Sequence, residues 1–205
     1  FDALAPQEPI SGRAQILWNH RWEYDKDPET FFRAIYTLVD EGLDFGLMLL
    51  GESFRNQPDE FLRVRQQLPD RVTHFGYAED ARTYAQLLWQ ADIVVSTALH
   101  EFFGAAVVEA CYCGCLPILT NRLSYPELVP EAYHDMCLYD NFDDLLGLLR
   151  RTVNRAGETR ASSLQSHMAQ FDWQLMAPRY DQLLAETAAA RAHAASQASL
   201  AALNS

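Results

Sequence analysis

The sequence predicts an α/β protein built on a parallel, doubly wound sheet, and three observations support this. Six short, largely apolar runs recur along the chain, at Ala14–Trp18, Phe45–Leu50, Val72–Phe75, Asp92–Ser96, Leu116–Thr120 and Cys137–Tyr139. Phe45–Leu50 is apolar without interruption, the pattern of a strand covered on both faces. Stretches of helical spacing separate them, and strands alternating with helices assemble into parallel sheets.

Taken in order, residues 1–13 carry Pro6, Pro9 and Gly12 ahead of the first apolar run and are expected to be a linker. After the first strand, Pro28 occupies a first helical position, where its missing N–H costs nothing. Phe31, Phe32, Ile35, Leu38 and Val39 then keep helical spacing until Gly42. The second strand ends at Gly51 and the third at Gly76, with a helix at Pro58–Leu68 between them. Further helices are expected at Ala81–Gln90, at Gly104–Cys113 with Gly114 as its stop, at Phe142–Asn154 and at Ser162–Gln170. The domain is set at residues 14–184. The alanine-rich residues 185–205 have almost no apolar stripe and are expected to be a frayed helix or a disordered end.

A length of 205 residues suits one domain, and 49% hydrophobic residues supply a sizeable core. The formal net charge of −12 carries no basic footprint for nucleic acid, so any anionic ligand needs a local cluster of cations. No run approaches the roughly 20 apolar residues that span a bilayer, and no signal-peptide pattern is present. No membrane partner is therefore expected. Cys111, Cys113 and Cys115 alternate too tightly for a secreted disulfide framework, which points to reduced thiols and a cytoplasmic location. The same trio lacks the spacing and histidine partners of a zinc site. Because the chain starts at Phe1 rather than Met, it is expected to be a piece of something longer.

In doubly wound sheets ligands bind beyond the carboxyl ends of the strands. The segments to inspect are His20–Asp27, Gly51–Phe54, Gly76–Tyr77, Thr97–Gly104 and Asn121–Glu127. The first holds Arg21 and Lys26, a guanidinium suited to paired bonds with phosphate and a compact ammonium. Of the 16 Lys and Arg residues only Lys26 is a lysine, which singles it out at a strand–helix junction. Asp25-Lys26-Asp27 also fits the loose Asp-x-Asp pattern of metal-dependent sugar transferases, but Asp27 before Pro28 suits a helix N-cap better, and no metal site is expected. The fourth segment runs into Glu101-Phe102-Phe103-Gly104 and on to Glu109. A helix opening near Phe103 and Gly104 offers backbone N–H groups to an anion. Glu109, about a turn and a half into that helix, could accept hydrogen bonds from a ribose diol, with Glu101 on the sugar side of the phosphates. Tyr77 suits either the wall of a base pocket or plain packing. His20 and His100, both in carboxyl-end loops, stand open between donor contact and ordinary polar positions. His74 and His134 are taken as ordinary polar residues, Trp89 and Phe61 as core.

These motifs resemble the C-terminal donor-binding domain of the family 4 retaining glycosyltransferases of the GT-B type. The likeness lies in Arg21-x₄-Lys26, Glu101-x₇-Glu109 with Phe103-Gly104 between, Gly114 and Pro117, Gly51 after the second strand, and Phe171-Asp172-Trp173 followed by Arg179-Tyr180. It extends from about Ala14 to Leu184. It implies one Rossmann-like half of a GT-B fold and a nucleoside-diphosphate-sugar donor. Arg21 and Lys26 would hold the diphosphate, Glu101 would act on the sugar, and Gly51, Tyr77, His100, Phe103, Gly104 and Glu109 would complete the donor site. Neither a cofactor nor a metal is implied. Trp18-Asn19-His20-Arg21-Trp22-Glu23, His100–Gly104, Tyr112–Cys115 and Tyr125-Pro126-Glu127 are similar to the branch that mannosylates queuosine in tRNA. That likeness implies GDP-mannose as donor and the cyclopentene diol of queuosine as acceptor. tRNA would be engaged only through an N-terminal acceptor domain missing here, and the fragment alone would be inactive.

The implied chemistry is metal-free retaining transfer through an oxocarbenium-like state. Arg21, Lys26 and the helix N-terminus at Gly104 would stabilise the leaving diphosphate. No Ser–His–Asp set is visible that would supply a nucleophile. Three other readings share the binding residues: a family member with another donor and acceptor, a nucleotide-sugar epimerase, and a non-catalytic nucleotide-sugar-binding module.

Overall fold

A computed structural model describes residues 1–6, 12–52, 59–155 and 162–203. Pro9, Phe54 and Pro58, each named above, lie outside the described residues. The chain divides into two compact units, Phe1–Met168 and Ala169–Ser205.

The first unit is a six-stranded parallel sheet. Its strands are β1 (Ala14–Trp18), β2 (Phe45–Leu50), β3 (Val72–Gly76), β4 (Ile93–Ser96), β5 (Leu116–Thr120) and β6 (Leu138–Tyr139), in the spatial order β3-β2-β1-β4-β5-β6. Strand order reverses direction between β1 and β4, and that crevice is where doubly wound sheets hold ligands. The larger helices are α1 (Pro28–Asp40), α2 (Asp59–Gln67), α3 (Ala81–Gln90), α4 (Ala105–Tyr112), α7 (Phe142–Val153) and α8 (Ser162–Met168).

Both faces of the sheet are covered. Ala14, Ile16 and Trp18 of β1 join Phe31, Phe32, Phe45, Phe61 and Leu149 in one buried cluster. Leu17 and Met48, equally buried, fall outside it, as alternation along a strand requires. Phe61 stacks on Trp22 with ring centres 4.4 Å apart and meets Phe32 edge-on at 4.9 Å, so the aromatic core reaches up to the loop that follows β1.

Two short helices, α5 (Tyr125–Leu128) and α6 (His134–Cys137), were not anticipated, and Cys137 closes α6 instead of opening a strand. A four-residue helix is a single turn and leaves no periodicity to detect. The first residues are also more ordered than a linker. Asp2–Leu4 form a 3₁₀ turn in which the Phe1 carbonyl accepts from Trp89 Nε1 at 3.1 Å, and Asp2 Oδ1 accepts from the Tyr112 hydroxyl at 2.6 Å. All four cysteines are buried, and none of them is in a disulfide.

In the second unit α9 runs from Trp173 to Leu203 with Pro178 inside it, and the alanine-rich end continues this helix. Alanine has the highest helix propensity, so a helix persists there without an apolar stripe. Trp173, Leu175, Tyr180, Leu183 and Leu184 are exposed along it. Among the described residues no helix is long and apolar enough to cross a membrane.

Candidate functional site

The switch point is a seam between the loops after β1 and β4. Leu99 N and His100 N both donate to the Asp25 carbonyl, at 2.9 and 3.3 Å. The Thr97 hydroxyl lies 2.9 Å from the Lys26 carbonyl and 2.8 Å from that of Asp27. Asp27 itself sits in the left-handed region at φ 49° and caps α1, its carboxylate accepting from Thr30 N at 3.2 Å. The Asp25 carboxylate pairs with Arg21 at 3.4 Å and lies 3.8 Å from Lys26 Nζ. Both acids of the Asp-x-Asp pattern are thus already engaged. No group of three or more His, Cys, Asp or Glu suited to a metal ion occurs among the described residues.

Lys26 is buried. Its ammonium donates to the His100 carbonyl at 2.7 Å and to Glu101 Oε2 at 3.2 Å. Partial burial on its own would raise the Glu101 carboxyl. The bond and charge of Lys26, with the amides of Phe102 and Phe103 on Glu101 Oε1, outweigh burial and hold the carboxyl below its ordinary value. Arg21, by contrast, is exposed, and its guanidinium makes a long contact, to the Asp25 carboxylate.

Two cavities flank this seam and share Asn19, His20 and Arg21. The larger, of about 570 Å³, is walled by Leu50, Gly51 and Glu52 after β2, by Tyr77–Ala81 after β3, and by Tyr84. The smaller, of about 310 Å³, is walled by Asp25, Lys26, His100, Glu101, Phe102, Ala105 and Ala106. Gly51 has a packing reason to be glycine, because a Cβ there would stand 2.3 Å from the His20 carbonyl oxygen.

Not every residue expected at the donor site borders these two cavities. Phe103 and Gly104 do not line either cavity. Phe102 faces the smaller one, and the first-turn residues of α4 that reach it are Ala105 and Ala106. Gly104 is the N-cap of α4 at φ 93°, and a Cβ on it would lie 3.1 Å from the Tyr125 ring. Its role is to let the chain turn over Tyr125, whose hydroxyl is 2.7 Å from Ser96 Oγ. Glu109 does not line the larger cavity directly. It accepts from the Tyr84 hydroxyl at 2.8 Å, and Tyr84 forms part of the wall. Burial, then the charge and bond of Glu109, raise the Tyr84 phenol, which stays a fixed donor. Tyr77 does line the larger cavity and is exposed.

Asn19 entered the sequence reading only as part of a motif, with no role of its own, and Tyr84 was not singled out. Asn19 is buried directly after β1 and donates to the Ala106 carbonyl at 2.7 Å, bridging β1 to α4. Its position directly after the first strand was the available signal. Tyr84 is an ordinary helix residue in sequence, and nothing local marks it.

This sheet order is Rossmann-like, the architecture of one half of a GT-B glycosyltransferase fold. The chain belongs to the glycosyl transferases group 1 family, whose profile matches residues 2–161. It is 41% identical over 116 residues to tRNA-queuosine alpha-mannosyltransferase of Drosophila melanogaster, which is 57% of this chain and 30% of that protein. It is 27% identical over 162 residues to a GDP-mannose-dependent alpha-(1-6)-phosphatidylinositol dimannoside mannosyltransferase of Mycobacterium tuberculosis, 78% of this chain and 41% of that protein. In fold it resembles sucrose-phosphate synthase from Thermosynechococcus elongatus, with a TM-score of 0.68 and 22% identity over 87% of this chain and 46% of that one. The chain therefore spans less than half the length of these relatives.

Proposed function

We propose that this chain is the donor-binding half of a retaining mannosyltransferase that uses GDP-mannose and, together with an acceptor domain outside these 205 residues, modifies queuosine in tRNA. The observation that carries the reading is the buried Lys26–Glu101 pair, 3.2 Å apart, between two cavities that meet at Arg21. The nucleoside would occupy the larger cavity, its base beside Tyr77 and its ribose toward Glu109 and Tyr84. The diphosphate would cross at Arg21, close to Lys26 and the amides of Ala105 and Ala106, which as first-turn groups lack helical partners. The hexose would lie in the smaller cavity against Glu101.

In this arrangement the leaving diphosphate gains its negative charge beside a guanidinium, an ammonium and a helix N-terminus that are already oriented. Such preorganisation lowers the barrier without a protein nucleophile. Lys26 has three N–H donors, two of them used by His100 and Glu101, so one remains for phosphate. Arg21 loses little by leaving an exposed pair. The mannosyltransferase relatives support mannose as the sugar, and the 41% identity to the Drosophila protein supports the acceptor. The strong net negative charge, −12, is consistent with tRNA being held by a different domain.

The test is a calorimetric panel of GDP, UDP, ADP and their sugars, followed by a transfer assay with queuosine-containing tRNA. Preference for GDP-mannose, with transfer only when an acceptor domain is supplied, is the expected result. Tighter binding of a uridine or adenine sugar nucleotide would overturn the donor, and turnover by residues 1–205 alone would overturn the division of labour.

A further inference from the structure

The nucleotide-sugar reading leaves the buried imidazole of His20, at the seam, without a task. His20 is 4% exposed, borders both cavities and stands edge-on to Trp18 with ring centres 5.3 Å apart. Its Nε2 is buried and has no hydrogen-bond partner among the described residues. Such an atom costs free energy unless something completes it, and at the junction of two ligand cavities the candidate is the ligand.

The chemistry of the ring limits what that ligand group can be. Burial, reinforced by the nearby charge of Lys26, lowers the imidazole to about 4, against weaker opposing effects of Glu101, the Val95 backbone and Asp25. The ring is therefore neutral near pH 7 and carries one N–H. Its hydrogen bond to the Val95 backbone must use Nδ1, since Nε2 is unpartnered, and must donate, since a carbonyl can only accept. Nε2 is left with a lone pair and acts as an acceptor. A diphosphate offers no proton to accept, and its oxygens would be repelled by a lone pair. A sugar hydroxyl does offer one. The charged groups that act on the ring, Lys26, Glu101 and Asp25, all border the smaller cavity, whereas Glu109 is not among them.

We propose that His20 is a specificity residue for the transferred sugar, its Nε2 accepting a hydrogen bond from one hydroxyl of the hexose in the smaller cavity. This rests on the donor reading above, and it adds a residue from the β1 loop to a sugar site otherwise made of Lys26, Glu101 and the start of α4. His20 would distinguish nucleotide sugar from bare nucleotide and contribute nothing to holding the diphosphate.

The experiment is titration calorimetry of the parent chain and of His20→Phe with GDP-mannose and with GDP. Phenylalanine keeps a ring against Trp18 and removes the acceptor. The parent should bind GDP-mannose more tightly than GDP, and the variant should lose about fivefold to tenfold of that preference, the scale of one hydrogen bond, with GDP affinity within about twofold. Equal weakening of both ligands would make His20 a phosphate ligand and overturn the proposal, as would an unchanged preference. A parent that binds no nucleotide sugar would sink the donor reading itself, a different outcome from a parent that binds while the variant keeps its preference. Nitrogen-15 spectra of the unsubstituted protein give a second measurement, independent of whether the variant folds. The Nε2 resonance of His20 should move on adding GDP-mannose, and stay in place with GDP, and one deoxy-hexose donor should abolish the movement. A resonance unmoved by the sugar nucleotide would overturn the assignment.

Discussion

The two cavities at the carboxyl end of the sheet are built on different principles. The smaller is closed by two chain segments that hold each other: Lys26 reaches across to the His100 carbonyl and Glu101, and Leu99, His100 and Thr97 reach back to Asp25, Lys26 and Asp27. The larger is walled on one side by the exposed residues Tyr77, Glu79 and Asp80, where Asp80 caps α3 and Tyr77 is free to turn toward a ligand. Side chains of the smaller cavity are part of the fold as well as of the site. Those of the larger are mostly attached to it. Substitutions should therefore cost both stability and affinity at the first, and affinity alone at the second.

The largest effect is expected at Lys26. Lys26→Ala strands a half-buried carboxylate and a carbonyl, and urea unfolding should show a loss of about 3 kcal/mol, the scale of breaking a buried ion pair by removing one partner. GDP binding should weaken as well. Undiminished stability would mean the seam is not held by this pair.

Acid should act on the same cavity. His20 has a folded pKa of about 4 against 6.5 for the free side chain, so the unfolded chain takes up its proton first. Its contribution is fully present above about pH 6.5 and is lost as pH falls toward 4, on the order of 3 kcal/mol at most. The depressed Glu101 carboxyl adds a loss of the same sign at lower pH. Unfolding free energies measured from pH 7 to 4.5 should fall, and His20→Phe should flatten the curve. An equal slope in both proteins would show that His20 is not buried in its neutral form.

Arg21 should separate binding from folding. Arg21→Ala should weaken GDP binding by about 2 kcal/mol, as for loss of a charge-assisted bond, while leaving urea unfolding within about 0.5 kcal/mol of the parent. If it destabilises the chain as much as Lys26→Ala does, Arg21, which borders both cavities, helps to hold the seam as Lys26 does.

The smallest effect belongs to the larger cavity. Tyr84→Phe frees the Glu109 carboxylate from its donor, and Glu109→Gln removes its charge. Each should cost about 1 kcal/mol in GDP affinity and nothing measurable for inorganic diphosphate. Calorimetry showing the same loss for both ligands would place Glu109 away from the ribose.

Much of this was legible in sequence because local signals mark it. β1, β2 and β5 begin and end where their apolar runs do, and glycines mark the ends of β2 and β3. The loops that form the cavities were found because strand ends locate them. Long-range partners could not be read. That Lys26 would be spent partly on Glu101, or that Tyr84 would hold Glu109, depends on how helices α3 and α4 settle on the sheet, and no spacing rule encodes it. Phe103 and Gly104 were assigned to ligand because the motif names them. Their neighbours on either side, Phe102, Ala105 and Ala106, border the smaller cavity, with the chain turning at Gly104 in the left-handed region between them.

Parallel pairing of β1 with both β2 and β4 also has a kinetic meaning. Ile16 can meet Leu47 once the second strand has been made, but it meets Ile93 only after a further helix–strand–helix stretch has been added. Contacts so distant along the chain are slow to close. The half made of β1, β2 and β3 can thus assemble as a scaffold that carries one wall of the smaller cavity, and the seam forms only when β4 brings the other. A nucleotide that grips the seam then reports completion: during refolding, its capture should lag behind the return of helical circular dichroism, and once captured it should slow the reopening of β1 from β4.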